Sequence, residues 1–299
     1  MRSTLSTLLP SPARQRPIGA AGWLLLVPLV AWVVMFVVVP TLIMGVYSFA
    51  HRGTLGGVET GFTLDNYLAV FDRTYVQIAA RSVWLAALTT ALCLVAGYPV
   101  AFFIGRTGER WRNRLLVLLM VPFWTSFLIR TYAWVTILKS EGVLNSVLVQ
   151  LGLVRAPLEM LYTPGAVVLG LVYTFLPFMI LPLYGSIEKL DPALIEAAFD
   201  LGAGPVRAFR QVILPLTMPG IAAGVLLVFV PALGLYAVND ILGGGRVDMV
   251  GNIIEHQFRG TARNWPFGAA LAVCLLLAFA LGFWLVTRQP GSRSDRRDE

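Results

Sequence analysis

Charged residues are scarce in this sequence. Asp, Glu, Lys and Arg make up 13% of its 299 residues, whereas hydrophobic residues make up 57%. The mean hydropathy of +0.75 is too high for the surface of a water-soluble globular protein of this length. A lipid bilayer is therefore expected to be the solvent for most of the chain.

Residues that commonly build catalytic or metal sites are also few. The sequence has 2 cysteines and 2 histidines, and Cys93 and Cys274 lie inside apolar runs. Neither a disulfide framework nor a metal site is expected, and the histidines form no enzyme-like constellation with acids or serines. A P-loop is missing, because neither Lys139 nor Lys189 follows a glycine. The chain is predicted to be non-catalytic, with no metal and no other cofactor.

Six apolar runs are long enough to cross a membrane. A helix needs about 20 apolar residues to cross about 30 Å of hydrocarbon. The runs cover residues 22–49, 83–104, 115–138, 165–187, 219–238 and 267–287. Strands of a membrane β-barrel would alternate apolar and polar residues, but the segment LLVPLVAWVVMFVVVP is apolar throughout. The predicted fold is an all-α membrane protein with six transmembrane helices.

The chain is predicted to be one membrane domain, residues 22–287, between two polar tails, residues 1–21 and 288–299. Arginine and lysine are more frequent in the tails and in the loops on their side of the membrane than on the other side. By the positive-inside rule, both termini are predicted to be cytoplasmic. The net charge of +7 follows from this bias, so no nucleic-acid partner is predicted.

The loop at residues 188–216 carries more local structure than a connection between antiparallel helices needs. Asp191 followed by Pro192 predicts a helix start, with an N-cap and a proline in the first turn. Gly202 predicts the end of that helix, and Pro205 the start of a second one. Judged on these residues alone, the loop fits a docking element and a helical hairpin at the membrane surface equally well.

Both predicted helices of this loop have an apolar face. In the first helix, the positions i, i+3, i+4 and i+7 of that face are Leu194, Ala197, Ala198 and Leu201. In the second helix, the face is formed by Val206, Phe209 and Ile213, with Arg207 and Arg210 on its flank. Leu214-Pro215 is expected to end the second helix ahead of the next span.

A motif in this loop points to one protein family. Its residues are Glu196-Ala197-Ala198, Gly202 and Val212-Ile213-Leu214-Pro215. The pattern resembles the EAA loop of inner-membrane permease subunits of binding-protein-dependent ABC importers, which have Ile where Val212 stands. Further segments resemble the spermidine/putrescine class of these permeases: FTLDNY at 62–67, PFWTSFLIRTYAW at 122–134, GVLN at 142–145, FVPALGLYAVNDILGGG at 229–245 and ARNWPFGAAL at 262–271.

The resemblance, which extends over residues 22–287, implies a type I ABC importer permease fold in a bacterial inner membrane. Roughly residues 204–212 would be the coupling helix, held in a groove of a cytoplasmic ATPase subunit. The coupling residues it implies are Glu196, Ala197, Ala198, Gly202, Pro205, Arg207, Phe209 and Arg210. The implied partners are a second, similar permease, two ATP-binding cassette ATPase subunits and an extracytoplasmic solute-binding protein. Polyamine is the favoured cargo, and an amino-acid-like, opine or iron substrate is the alternative.

Polar residues in or near the spans are candidates for the translocation path. Arg130 is the one charge inside a predicted span and, at 1.5 Å per residue, lies about 22 Å along the helix from Leu115. It either snorkels to the outer interface or takes part in the gate or in the packing of the path. Asp240 offers charge to a cation, and Tyr236 an aromatic face. Tyr173 and Asn239 complete the candidates, and a packing or loop role is open for each of these four.

Two other classes of membrane protein fit the sequence less well. A carrier driven by an ion gradient is expected to have inverted repeats and, near the midplane, carboxylates on broken helices. The predicted spans contain no acidic residue. A membrane enzyme would need a cluster of His, Asp and Glu at the interface, and the sequence does not indicate one.

Overall fold

The computed structural model describes residues 20–54, 56–260 and 263–288. The elements in chain order are α1 Ala20–Val33, a π-helical turn Val34–Val38, α2 Val39–Tyr47, β1 His51–Arg52, β2 Val58–Glu59, α3 Asp65–Val70, α4 Arg73–Arg106, α5 Glu109–Met120, a 3-10 turn Val121–Trp124, α6 Phe127–Leu138, α7 Val143–Gln150, α8 Pro164–Ile187, α9 Pro192–Asp200, α10 Pro205–Ala208, a π-helical turn Phe209–Ile213, α11 Leu214–Gly234, α12 Tyr236–Gly243, α13 Val250–Arg259 and α14 Trp265–Arg288. The two strands form one antiparallel pair. Nearly all of the predicted tails, residues 1–21 and 288–299, lies outside the described residues.

The fold is an all-α membrane fold, as the composition predicts. Five helical segments are long and apolar enough to cross a bilayer: Leu26–Tyr47, Arg73–Arg106, Pro164–Ile187, Pro205–Gly234 and Trp265–Gly282. A bent pair of helical segments, Glu109–Trp124 and Phe127–Gln150, qualifies as a sixth span when its two arms are taken together. With this pair counted as one, the number of spans is the six that the sequence predicts.

The third predicted span, residues 115–138, is not one continuous helix. Its two arms meet at 86°. The break lies at Thr125 and Ser126, with ψ of 149° and 133°, three residues after Pro122, which has no N–H to donate. The Thr125 hydroxyl donates to the Pro122 carbonyl at 2.9 Å. The run at residues 115–138 was predicted as one spanning helix, and its length and apolarity do not reveal this bend.

The helix after the loop at 188–216 also differs from the prediction. It is continuous over Pro205–Gly234, so Leu214-Pro215 lies inside it and does not end a helix. The π-helical turn Phe209–Ile213 stands directly before this pair, and the Leu214 N–H donates to the Phe209 carbonyl, five residues back. The wider turn lets the chain pass the proline ring without a stop. The second helix of the loop is therefore joined directly to the fourth of the continuous spans.

Close contact between α4, α8 and α11 forms the centre of the bundle. Met179, Ile180 and Leu183 of α8 are almost completely buried there. Small residues of α11 permit the approach: a Cβ on Gly220 would lie 2.6 Å from the backbone oxygen of Pro182, and a Cβ on Gly224 would lie 2.6 Å from the Met179 sulfur. Close packing at small residues is a principal source of helix association in lipid, where the hydrophobic effect between helices is lost.

The first span lies at the edge of the bundle. The most apolar window of Leu26–Tyr47 is 0% buried within the described chain, and α2 packs against α14. Its remaining surface is available to lipid or to another protein.

We predict that Gly220→Ala destabilises the bundle by about 1–3 kcal/mol, because the added methyl group has no room beside the α8 backbone. Thermal unfolding of the purified protein in detergent measures the effect. Gly185→Ala is the matched control, since a Cβ at Gly185 meets no atom within 4 Å. Equal melting temperatures for the two variants would contradict the close contact between α8 and α11.

Candidate functional site

The loop at residues 188–216 folds as two short helices joined by a glycine turn. The Asp191 carboxylate accepts a hydrogen bond from the Ala193 N–H at 2.9 Å and caps α9. At the other end, Gly202 has φ +80°, and its N–H donates to the Phe199 carbonyl at 2.9 Å. The next N–H, of Ala203, donates to the carbonyl of Ala198 at 3.0 Å. These two bonds form a Schellman motif, so the predicted start and stop of α9 are confirmed.

The hairpin formed by α9 and α10 rests on the bundle through one small apolar cluster. Ile195 of α9 and Ile213 are buried there together with Leu190. Phe209 and Phe102 of α4 cover the cluster. The hairpin is therefore fixed to the end of α4 through packing, in addition to its covalent links to α8 and α11.

Phe209 makes a second contact with α4. Its ring meets the Tyr98 ring edge to face, with centroids 5.4 Å apart. The Tyr98 hydroxyl and the Thr217 hydroxyl of α11 lie within hydrogen-bond distance at 2.9 Å. Edge-to-face aromatic pairs favour one relative orientation, so the hairpin, α4 and α11 have defined positions at this end of the bundle.

The apolar face predicted for α9 is wrong in part. Ala198 is buried, but Leu194 is 48% exposed and Leu201 is 88% exposed. In the second helix, Val206 is 70% exposed. Helical periodicity places residues on a common face, but it does not say whether that face packs inside the chain. Here the buried face of α9 runs through Ile195 and Ala198, and an apolar face is left exposed.

The eight predicted coupling residues all lie on this hairpin. Six are exposed: Glu196, Ala197, Gly202, Pro205, Arg207 and Arg210. Ala198 is buried, and Phe209 packs against the cluster described above. The exposed arginines and Pro205 line an open cleft of about 610 Å³. The exposed part of the hairpin thus combines bulky apolar side chains with two positive charges.

A buried polar network holds α12 and α13 together. Asn252, 1% exposed, donates to the Asp240 carboxylate and, at 3.2 Å, to the Tyr236 carbonyl. Its oxygen accepts from the Asn239 amide and, at 3.4 Å, from the Met249 N–H. Asn252 therefore uses its full hydrogen-bond capacity. It was missed at the sequence level, where the one available signal is an amide among the apolar residues MVGNII.

The same region is tied to α4 by two further side chains. Arg81 donates to the Asp248 carbonyl through Nε at 3.2 Å and Nη2 at 2.6 Å. The Ser82 hydroxyl accepts from the Val250 N–H at 2.9 Å. Residues 248–250 are therefore fixed to α4 at this end of the bundle.

The predicted path residues fall into two groups. Tyr236, Asn239 and Asp240 belong to α12, which begins where α11 breaks at the extended residue Leu235, with ψ 92°. Asn239 is 1% exposed, whereas Tyr236 and Asp240 are half-buried. Tyr236 lines a cavity of about 330 Å³ together with Glu255, Phe258 and Arg259, among other residues.

Arg130 and Tyr173 form the second group. The Arg130 guanidinium carbon lies 5.5 Å from the Phe123 ring centroid and 5.7 Å from that of Tyr173. The Trp134 ring also contacts the Tyr173 ring, with centroids 5.7 Å apart. Because the span bends between Leu115 and Arg130, the rise of about 22 Å along a straight helix does not apply. Arg130 packs between an aromatic ring of the 3-10 turn and an aromatic ring of α8.

The fold and the exposed hairpin together define a class of protein, the permease subunits of ABC importers. A crystal structure of a bacterial ABC transporter involved in the import of the acidic polysaccharide alginate matches with a TM-score of 0.67 and 20% identity, over 90% of this chain and 96% of that chain. The same kind of transporter in complex with an alginate pentasaccharide-bound periplasmic protein matches with a TM-score of 0.70 and 17% identity, over 88% and 91%. At this identity the likeness concerns the fold, which is the type I permease fold that the motif implied.

The family is defined by sequence. A family model described as "Binding-protein-dependent transport system inner membrane component" matches residues 97–290. The chain belongs to this family. It is therefore an inner-membrane permease subunit of an ABC transporter, which carries no ATPase site of its own, and the resemblance seen in the loop motif is confirmed.

Sequence similarity to individual permease proteins extends over most of the chain. The spermidine/putrescine transport system permease protein PotB of Salmonella typhimurium strain LT2 is 46% identical over 266 residues, covering 88% of this chain and 92% of the relative. PotB of Escherichia coli K12 is 45% identical over 267 residues, covering 88% and 97%. The inner membrane ABC transporter permease protein YdcU of E. coli K12 is 32% identical over 243 residues, covering 77% of each chain.

We predict that Asn252→Leu lowers the stability of the protein by about 1–3 kcal/mol for each buried partner that loses its hydrogen bond. The shape of the side chain is retained, so lost polar contacts and not lost volume cause the effect. Asn113→Leu on the exposed face of α5 is the control and is expected to melt within a degree or two of the wild type. A melting temperature of Asn252→Leu equal to that of the control would refute the role of the network.

Proposed function

We propose that the protein forms half of the membrane path of a polyamine importer and that the α9–α10 hairpin docks on a cytoplasmic ATPase subunit. The observation that carries the coupling role is the exposed face of the hairpin, with Leu201 88% exposed and Val206 70% exposed beside Arg207 and Arg210. Large apolar side chains with this exposure are typical of an interaction surface when they are clustered and framed by charges. Both termini are then cytoplasmic, together with the hairpin.

The cargo proposal is supported by relatives and by chemistry. The curated PotB relatives are named for spermidine and putrescine, which are flexible polycations. Tyr236 and Phe258 supply aromatic rings, and Glu255 a carboxylate, around one cavity at the α12–α13 end. Aromatic faces and carboxylates are the groups that recognise ammonium ions. An amino-acid-like, opine or iron substrate remains the alternative that cargo measurements must exclude.

Asp240 is the proposed cation contact on α12. One of its oxygens is held by Asn252, and the residue is half-buried. Among the residues the structure describes, no arginine, lysine or histidine pairs with this carboxylate. A half-buried carboxylate without a basic partner retains its attraction for a cation that passes nearby.

The assembly consists, in this proposal, of the chain, a second permease, two ATPase subunits and an extracytoplasmic binding protein. The first span supports the second permease, because its most apolar window is 0% buried within the described chain. The other occupant of this surface is lipid. Arg130 is proposed to act in the gate through its position between α6 and α8, and not as a ligand, since it would repel a polycation.

We predict that the double variant Arg207→Glu and Arg210→Glu inserts normally but loses ATP-driven uptake, by at least about tenfold. The reason is that the two positive charges on the docking face are replaced by negative charges. Gly202→Val is expected to act in the same direction, since a β-branched residue at φ +80° strains the turn. Uptake of radiolabelled spermidine by proteoliposomes holding the complete importer measures the loss.

The control for the arginine variant is Lys189→Glu, which reverses a charge in the same loop on an exposed residue outside the hairpin. It is expected to retain wild-type uptake. Uptake that persists in the arginine variant would exclude the coupling role, and uptake by the chain alone, driven by a proton or sodium gradient, would exclude an ABC mechanism altogether.

We predict that Asp240→Asn raises the KM for spermidine uptake by about three- to tenfold, because a charge contact with an ammonium group is lost while the shape is kept. Asp248→Asn, in the segment between α12 and α13, is the control and is expected to leave the KM unchanged. An unchanged KM for Asp240→Asn would remove this residue from the path.

A further inference from the structure

The start of the coupling loop is joined to α5 by an ion pair. The Arg112 Nη1 atom of α5 lies 2.9 Å from the Glu188 Oε1 atom. Glu188 is the C-cap of α8 and therefore the first residue of the loop at 188–216. The other ion pairs found in the described part of the chain, both formed by Glu255, lie within α13. Among the described residues, Arg112–Glu188 is therefore the ion pair that connects two separate elements.

Beyond this pair, α5 is loosely packed against its neighbours. An open apolar groove of about 340 Å³ runs between α5, α4 and α8, and it is lined by apolar side chains of all three helices, including Leu115, Leu118 and Pro177. A gap of this kind leaves its lining without dispersion contacts on one side. The end of α4, in contrast, packs tightly on the end of α8, since a Cβ on Gly105 would lie 2.9 Å from the Ile187 Cγ2 atom. The ion pair lies at this tight end, beside the hairpin.

The ion pair is partly shielded from solvent. The side chains of Arg112 and Glu188 are 26% and 38% exposed. The Arg112 Nε atom is buried without a hydrogen-bond partner, so Glu188 is the acceptor that holds this guanidinium in place. A charge-assisted bond in such a setting is directional and transmits displacement from one element to the other.

Resting on the proposed function of the hairpin, we propose that the Arg112–Glu188 pair transfers its movement to α5 and to the broken span that follows. When the ATPase subunits displace the hairpin, Glu188 moves with it. Arg112 then displaces α5, and the open groove beside α5 leaves room for that motion. The break at Thr125 and Ser126 lies at the far end of α5, directly before the helix that carries Arg130. Both members of the pair are positioning residues, because neither touches ATP or cargo.

The test uses the complete importer in proteoliposomes, with spermidine-loaded binding protein outside and ATP inside. The variants are Arg112→Gln, Glu188→Gln and the exchange Arg112→Glu with Glu188→Arg. We expect each single variant to lower the spermidine imported per ATP hydrolysed by about threefold, the range of a partly exposed ion pair. The exchange is expected to restore at least half of the wild-type ratio.

Arg110→Gln is the matched control, because Arg110 lies on the same helix, is exposed and has no ion-pair partner in the described ranges. It is expected to keep the wild-type ratio. A purely structural role of the pair would lower assembly and both activities together and leave the ratio unchanged. Arg112→Lys, which retains the charge, provides a second variant in case the others assemble poorly, and it is expected to keep most of the ratio.

Several outcomes contradict the proposal. It is overturned if the single variants keep the wild-type ratio, if the exchange is no better than the single variants, or if Arg112→Lys assembles and is as uncoupled as Arg112→Gln. A wild-type complex that imports spermidine without hydrolysing ATP would instead contradict the proposed function itself. The two failures are therefore distinguished by the wild-type measurement.

Discussion

The close contact between α8 and α11 is the interaction on which the other features depend. Lipid tails give helices no hydrophobic reason to associate, so the contact must come from packing at small residues. Gly220 and Gly224 provide it by bringing the α11 backbone against Pro182 and Met179. The helix that makes this contact continues without a break into the α9–α10 hairpin. The hairpin is therefore rigidly joined to the centre of the bundle, and a force applied to it is delivered to the core.

The continuity of this helix depends on how proline is accommodated in lipid. An unpaired backbone group costs several kcal/mol in hydrocarbon. A carbonyl that loses its helical partner at a proline therefore needs another donor, or the helix must change its geometry around the proline. At Pro215 the chain absorbs it with a π-helical turn. At Pro122 it breaks the helix, and the Thr125 hydroxyl donates to the carbonyl of that proline. The first solution gives a stiff connection to the hairpin, and the second gives the bend in the third span.

Much of the fold could be predicted from the sequence, and the reasons are physical. Bilayer thickness sets the length of an apolar run, so the spans were found with their approximate limits. The start and end of α9 were also correct, because an N-cap carboxylate and a glycine with positive φ act within a few residues. The break after Pro122 was missed, since proline occurs in straight and in broken membrane helices alike, and the outcome depends on tertiary contacts.

The candidate site was less predictable for the same reason. The motif located the coupling residues, but it did not show that Leu201 faces outward and Phe209 inward. That difference depends on the Phe102 and Tyr98 side chains of α4, about 100 residues earlier in the chain. Asn252 was missed because only folding brings it together with its hydrogen-bond partners on α12. Long-range contacts of this kind leave no local pattern.

The distribution of charge restricts where a polycation can pass. The Arg130 guanidinium is held between Phe123 and Tyr173, so its positive charge stays on the α6–α8 side. The Asp240 carboxylate belongs to α12. Glu255 of α13 lines a cavity with two aromatic rings and with Arg259, whose guanidinium lies 3.9 Å from the Glu255 carboxylate. A charge acts on a passing ion over several ångströms, and it acts more strongly where water is excluded. We propose that a polycation in the importer is attracted by Asp240 and repelled by Arg130. Because α12 packs against both α6 and α8, the two residues act from neighbouring elements, and their opposite charges favour a position of the cargo close to the carboxylate.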